Sequence, residues 1–221
     1  MKAIILAAGA GKRIRSITDD PKCLLKINNE TLIDRQIRLL SKNSCNPTIV
    51  VGYKHRAIIK HVGYKDFVFN PVWEQSNTLI SLLFALSTSY TDFLVINGDT
   101  VFREDLLQKM LAADYSACAV QPVDPTEEEV KVACDPYKKV TTIGKHLVNA
   151  PLEAVGVYLF RKPLIMAIKE SVRLFCEPWK LYYEDVLNEC LADHPMQAID
   201  TSDAVEIDTP EDYERAKKVY A

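Results

Sequence analysis

The 221-residue chain has no Cys-x-x-Cys pair, no block of basic residues, no internal repeat and no flexible linker. Its six cysteines (Cys23, Cys45, Cys118, Cys134, Cys176 and Cys190) are scattered, which argues against a small disulfide scaffold and a zinc site alike. They read as mostly buried thiols in a reducing compartment, so a cytoplasmic location is expected. With 27 Lys and Arg against 30 Asp and Glu the net charge is −3, and no nucleic-acid partner is expected. A local cluster of Lys and Arg still suffices to bind a small anion. No stretch approaches the length of a membrane span. The apolar run near the N-terminus breaks after Ala8 into Gly-Ala-Gly-Lys-Arg, too short for a span or a signal sequence and suited to a buried first strand.

What is present is an ordinary globular mixture, 48 % apolar and 26 % charged, long enough for one good core. Residues 2–7 read as a parallel core strand. Leu32, Ile33, Ile37 and Leu40 recur at helical spacing, 48–52 is the next strand, 56–62 a short helix and 66–69 a third strand. Residues 78–87 suit a buried helix capped by Ser76 or Asn77, and 93–96 is a strand ending at Asn97-Gly98-Asp99. Strands alternating with helices predict an α/β fold, a single Rossmann-like domain over 1–221 with helices on both faces of a mostly parallel mixed sheet. Short strand-like pieces at 116–121, 129–134, 139–143 and 153–160 predict a mixed or antiparallel extension of that sheet, small beside the parallel part. Residues 163–171 and 181–191 are helix candidates. Thr209-Pro210-Glu211-Asp212 combines a cap, a first-turn proline and acidic residues, and starts a helix that runs to about Tyr220.

The richest local feature is Leu6-Ala7-Ala8-Gly9-Ala10-Gly11-Lys12-Arg13. Glycines there allow a ligand to approach the backbone, exposed amides can hold phosphate oxygens, and Arg13 offers a donor fork. Two familiar glycine loops do not fit. A dinucleotide fingerprint needs a third glycine where Ile14 stands. A P-loop kinase or ATPase needs glycine where Leu6 stands, and Ser or Thr where Arg13 stands. The loop is therefore a phosphate loop of another class, or a tight structural turn.

Together with Pro21-Lys22-Cys23-Leu24-Leu25, this loop closely resembles the LAAGxGxR…PKxLL pattern of the NTP-transferase superfamily, the sugar-phosphate nucleotidyltransferases and small cytidylyltransferases. The likeness continues through 32–40, Val51-Gly52-Tyr53, Asn70-Pro71, Asn77, Ser81-Leu82 and Gly98-Asp99 to 206–213, nearly the whole chain. It implies that Gly9, Gly11 and Arg13 hold a triphosphate, that Lys22 meets the α-phosphate or the acceptor phosphate, and that Asp99 and Asp208 hold Mg²⁺. Leu6, Ala8, Gln75 and Asn77 would flank the nucleotide. The catalytic set is Arg13, Lys22 and Asp99. Independently of the resemblance, an apolar strand ending in Asp99 places a carboxylate where α/β sites lie, and the alternation in Glu206-Ile207-Asp208 puts both acids on one face.

Within the superfamily, 77–82, Leu181-Tyr182-Tyr183-Glu184-Asp185 and 206–213 resemble the phosphocholine and aminoalkyl-phosphate cytidylyltransferases. The resemblance implies CTP as donor and a small phosphorylated amine or alcohol as acceptor. Ile143-Gly144-Lys145, Glu153 and Gly156-Val157-Tyr158 resemble sugar- or inositol-phosphate members instead, in which Lys145 would contact the acceptor phosphate. Acceptor candidates are Lys145, Glu153, Trp179, Tyr183 and Asp185, alongside Trp73, Tyr158, Tyr182 and Glu184. An aromatic face beside a carboxylate suits an ammonium group, although a stripe of Leu181, Val186 and Leu187, with Tyr182 or Tyr183, equally suits a buried helix face. A homo-oligomer is left open. A non-catalytic nucleotide sensor is the rival of a different class. It would be marked by loss of Lys22, Asp99 or Asp208, and all three are present.

Overall fold

A computed structural model describes residues 1–63, 66–86, 91–123 and 129–220. The first half lays down β1 (Lys2–Ala7), β2 (Lys26–Ile27), β3 (Glu30–Thr31), α1 (Leu32–Lys42), β4 (Asn46–Val51), α2 (His55–Val62) and β5 (Asp66–Phe69). It continues through α3 (Thr78–Leu86), β6 (Phe93–Asn97), β7 (Thr100–Val101) and α4 (Glu104–Ala112). The second half holds β8 (Ser116–Pro122), β9 (Lys131–Cys134), β10 (Val140–Gly144), β11 (Leu152–Phe160) and α5 (Lys162–Ser171). It ends with α6 (Tyr183–Asn188), β12 (Met196–Asp200), β13 (Val205–Glu206) and α7 (Pro210–Val219).

Among the described residues nine strands form one sheet with the path β10-β9-β11-β6-β1-β4-β5, and β8 and β12 branch from β11. β1 lies in the middle, parallel to both β4 and β6, so its residues bury on both faces and read as a continuous apolar run. β11 pairs antiparallel with β6, which joins the second-half strands to the first-half sheet. The predicted extension is thus continuous with the parallel part. One face is covered by α3, α5 and α6 around Leu82, Leu86, Ile165 and Leu187. The other is covered by α1, α2 and α4 around Ile33, Leu40, Ile58 and Leu107. Four cysteines are buried, Cys134 is half-buried and Cys176 is exposed.

Element boundaries follow local chemistry. Thr31 caps α1 by accepting from Asp34 N. Thr209 and Asp212 form a capping box on α7 with Pro210 in the first turn, as the sequence predicts. Ser87, the last residue of the helix predicted over 78–87, lies outside the described residues. The helix predicted over 181–191 shrinks to six residues. Asp185 sets its start by accepting from Tyr182 N at 2.8 Å, and turns replace the expected last turns.

A smaller third core is the one that positions the site. β13 pairs antiparallel with β7 (Val205 opposite Val101, Glu206 opposite Thr100), and Ile207 N donates to Asp99 O at 3.0 Å. Ile207, Val205, Ile14, Leu25 and Tyr220 pack together beneath that pair.

Candidate functional site

The ends of β1 and β6 and the β7–β13 pair open onto one cavity of about 940 Å³. This is the carboxyl edge of the parallel strands, where a helix-flanked sheet leaves backbone groups free for a ligand. Gly98 lets the two strand ends meet: its N–H donates to Leu6 O at 2.9 Å, and a Cβ there would lie 2.9 Å from that same oxygen. Gly11 is left-handed, φ 57°. A Cβ on it would sit 2.6 Å from Lys22 Cγ, so the loop can lie directly on the Lys22 stem only because residue 11 has no side chain.

Three chain segments converge at the Lys22 ammonium. Nζ lies 2.5 Å from Asp99 Oδ2 and 2.5 Å from Asp208 Oδ1. Arg13 Nη2 donates to the other Asp208 oxygen at 2.7 Å. Burial works against the Lys22 charge, but the two carboxylates outweigh it and hold the ammonium above the ordinary lysine range. Burial likewise opposes the Asp208 charge, and Lys22, Arg13 and Lys145 reverse the balance, so its carboxyl is held below its usual value. Glu206 is pushed well above the carboxylate range, first by burial and then by Asp99 and Asp208. Its Oε1 accepts from Asn97 Nδ2 at 3.0 Å. The sharing of one cation by two hard oxygen donors fits Mg²⁺, which needs only one or two carboxylates beside substrate phosphates and water. Among the described residues no larger His, Cys, Asp and Glu group with metal-holding geometry occurs.

Away from this centre the cavity has two characters. Gly9, Gly11, Lys12 and Arg13 form its basic end, Gln75, Asn77 and Thr78 one side, and Glu129, Lys145, Tyr182 and Glu184 the far wall. Thr78 Oγ1 is buried with no hydrogen-bond partner among the described residues. On the far wall Lys145 Nζ lies 4.7 Å from the centre of the Tyr182 ring. Glu184 is only 4 % exposed and accepts from Tyr158 OH at 2.9 Å. Burial pushes its carboxyl up to about 7.

Of the residues singled out from sequence, Leu6, Gly9, Gly11, Arg13, Lys22, Gln75, Asn77, Asp99, Lys145 and Asp208 line this cavity. Five others do not. Ala8 is buried, its carbonyl accepting from Tyr53 N at 2.9 Å. Glu153 is buried on β11 and accepts from Gln121 Nε2 at 2.7 Å. Trp179 is 43 % exposed beside the cavity and contributes its carbonyl to Asn77 N. Tyr183 is fully buried, with its hydroxyl on Asn97 Oδ1 at 3.1 Å. Asp185 is taken up as the α6 cap. Tyr182 and Glu184, named beside them, do face the cavity. Arg15, Asn97, Thr78 and Glu129 line it without having been singled out, and Tyr53 had entered only as part of the family likeness.

A family model, the MobA-like NTP transferase domain, matches residues 3–198. The choline-phosphate cytidylyltransferase of Streptococcus pneumoniae is 28 % identical over 99 % of this chain and 98 % of its own length. Among solved structures, a CTP:phosphocholine cytidylyltransferase from S. pneumoniae superposes with a TM-score of 0.81 at 23 % identity, covering 100 % of this chain and 99 % of that one. An inositol-1-phosphate CTP transferase from T. maritima gives 0.77 at 24 % identity, covering 99 % and 95 %. At such identities the superpositions speak for the fold. No helix among the described residues is long and apolar enough to cross a membrane.

Proposed function

The chain belongs to the MobA-like NTP transferase family, and on that premise we propose that it is a CTP- and Mg²⁺-dependent cytidylyltransferase acting on a small phosphorylated amine or alcohol. The product is a CDP-linked compound and pyrophosphate leaves. The observation that carries this reading is the convergence of Lys22, Asp99 and Asp208 between a basic loop and an acidic, aromatic wall.

The acceptor is already a phosphate monoester or phosphonate, ionised near neutral pH, so no strong general base is required. Its oxygen attacks the α-phosphorus in line, and the bond to pyrophosphate breaks. The obstacle is repulsion between two anions. Lys22 and Arg13 oppose it by placing positive charge at the reacting phosphorus and the leaving group, while the amides of the glycine loop orient the triphosphate. Asp99 and Asp208 would hold Mg²⁺, which supplies Lewis-acid polarisation of phosphate oxygens when bound.

At the far wall, Tyr182 and the Glu184 carboxyl suit an ammonium group on the acceptor, which would replace the Lys145 ammonium that lies 4.7 Å from the Tyr182 ring centre. Lys145, on the same wall, suits the acceptor phosphate. A sugar- or inositol-phosphate acceptor is the second reading, favoured by Lys145 alone. Pyrophosphate release with Mg²⁺ tests the proposal, crossing four NTPs with phosphocholine, phosphoethanolamine, 2-aminoethylphosphonate, inositol phosphate and hexose 1-phosphates. Release with CTP and an amine-bearing phosphate is expected. Release only with a sugar or inositol phosphate would overturn the ammonium pocket and keep the chemistry. Nucleotide binding without release from any acceptor would favour the sensor.

A further inference from the structure

The loop after β1 is tied down from outside itself. At the end of β4, Tyr53 N donates to Ala8 O at 2.9 Å and Tyr53 OH donates to Asp19 O at 3.2 Å. Lys54 Nζ donates to the same Asp19 oxygen at 2.8 Å. Arg15 closes the ring from within. Its Nη1 donates to Tyr53 OH at 2.6 Å and its Nη2 to Ala10 O at 3.2 Å, with the guanidinium carbon 4.5 Å from the Tyr53 ring centre. The Tyr53 ring also meets Trp73 at 5.4 Å, near edge-on.

The backbone is shaped for this contact. A Cβ at Gly52 would lie 2.7 Å from Ala8 O and 2.6 Å from Trp73 Cβ, so only glycine lets β4 come this close. Lys54 adopts φ 42°, a left-handed conformation uncommon for a side-chain-bearing residue. Three carbonyls of the loop segment, those of Ala8, Ala10 and Asp19, are thereby held by two side chains and one backbone amide of the Tyr53–Lys54 corner and by Arg15. Arg15 directs donors at Ala10 O, Tyr53 OH and, at 3.4 Å, Asp19 Oδ1. Its donors are therefore engaged by the protein, although its side chain borders the cavity.

We propose that Tyr53 and Arg15 are positioning residues that hold the glycine loop in its phosphate-binding shape before nucleotide arrives. This rests on reading the loop as a triphosphate cradle. Preordering the loop removes an entropy cost from nucleotide binding, so the pair sets nucleotide affinity and leaves the acceptor end alone.

Tyr53→Phe keeps the ring and removes the hydroxyl, and Arg15→Lys keeps the charge and loses the fork. Two readouts apply: hydrogen exchange of the amides of residues 9–13 in ligand-free protein, and equilibrium binding of Mg·CTP beside CMP. Each single variant is expected to speed loop exchange at least about fivefold, with β1 amides unchanged, and to weaken CTP about threefold to tenfold with little effect on CMP. The double variant is expected to lose less than the product of the two single losses, because both single variants disrupt the shared Arg15–Tyr53 bond. Unchanged loop exchange in both single variants overturns the proposal, as does a double variant whose loss is the product of the two. If wild-type protein binds no CTP, the triphosphate reading of the loop falls, and the exchange data still decide whether Tyr53 and Arg15 hold it.

Discussion

The two ends of the cavity handle charge in different ways. At the basic end, Lys22 and Arg13 pair with Asp99 and Asp208 at 2.5–2.7 Å. At the acidic end, Glu184 accepts from the neutral donor Tyr158, and burial pushes it toward the protonated form. Paired ions exchange one partner for another at little cost. An enclosed carboxyl without a cation ionises only when a cation arrives or the pH rises. The first arrangement suits a polyanion that displaces carboxylates from lysine and arginine. The second suits a neutral or cationic group.

The most severe way to break this contrast is to remove the ion that both halves of the centre share. Lys22→Met is expected to lower kcat/KM by about a thousandfold or more, and to leave Asp99, Asp208 and Glu206 crowded without their cation. Pyrophosphate release gives the first effect, and melting at pH 5 and pH 8 the second, with the larger loss at pH 8. Next, Asp99→Asn is expected to cut turnover roughly a hundredfold and to raise the Mg²⁺ concentration for half-maximal rate; a metal titration of initial rates reads both.

Glu184→Gln probes the other end, and its sign follows from the proton balance. Below about pH 4.5 the Glu184 carboxyl is protonated in folded and unfolded chains alike. Between 4.5 and its folded value of about 7, the unfolded chain has released a proton that the folded one keeps, so wild-type stability falls as pH rises. The full difference is reached above 7 and amounts to roughly 3 kcal/mol at most. Urea melts should therefore show Glu184→Gln gaining on wild type from pH 5 to pH 8. The same variant is expected to raise KM for phosphocholine about tenfold and leave KM for CTP unchanged. Parallel pH slopes in the two proteins would mean that this wall is as wet as the rest of the surface. The smallest effect belongs to Thr209→Ala, which removes the α7 cap. It should cost about 1 kcal/mol of stability by thermal melts, without altering selectivity at either end.

The basic end was legible because its parts are contiguous or sit at strand ends. The glycine loop follows an apolar run, Lys22 follows a proline, and Asp99 and Asp208 close short β-prone stretches. The acidic end was only partly legible. A helix as short as α6 has no periodicity to fix its phase, and Asp185 is diverted into the cap. Tyr183 therefore turns into the core while Tyr182 and Glu184 line the cavity. β11 carries a register shift between Ala154 and Tyr158 against β8, so strand alternation alone could not place Glu153. Arg15 and Tyr53 meet across 38 positions, and no local pattern announces such a pair.

Lys22 and Asp208 are separated by 186 positions, and the strand pair that brings Asp208 in rests on the small third core. In folding terms the Lys22–Asp208 contact depends on the smallest of the three cores. The sheet can close through its neighbouring strands, but contacts of such long range form late. Under mild denaturant that core is expected to open first. The protein would then lose turnover while its sheet still holds, with its carboxylate pair undone by local melting well before the fold itself gives way.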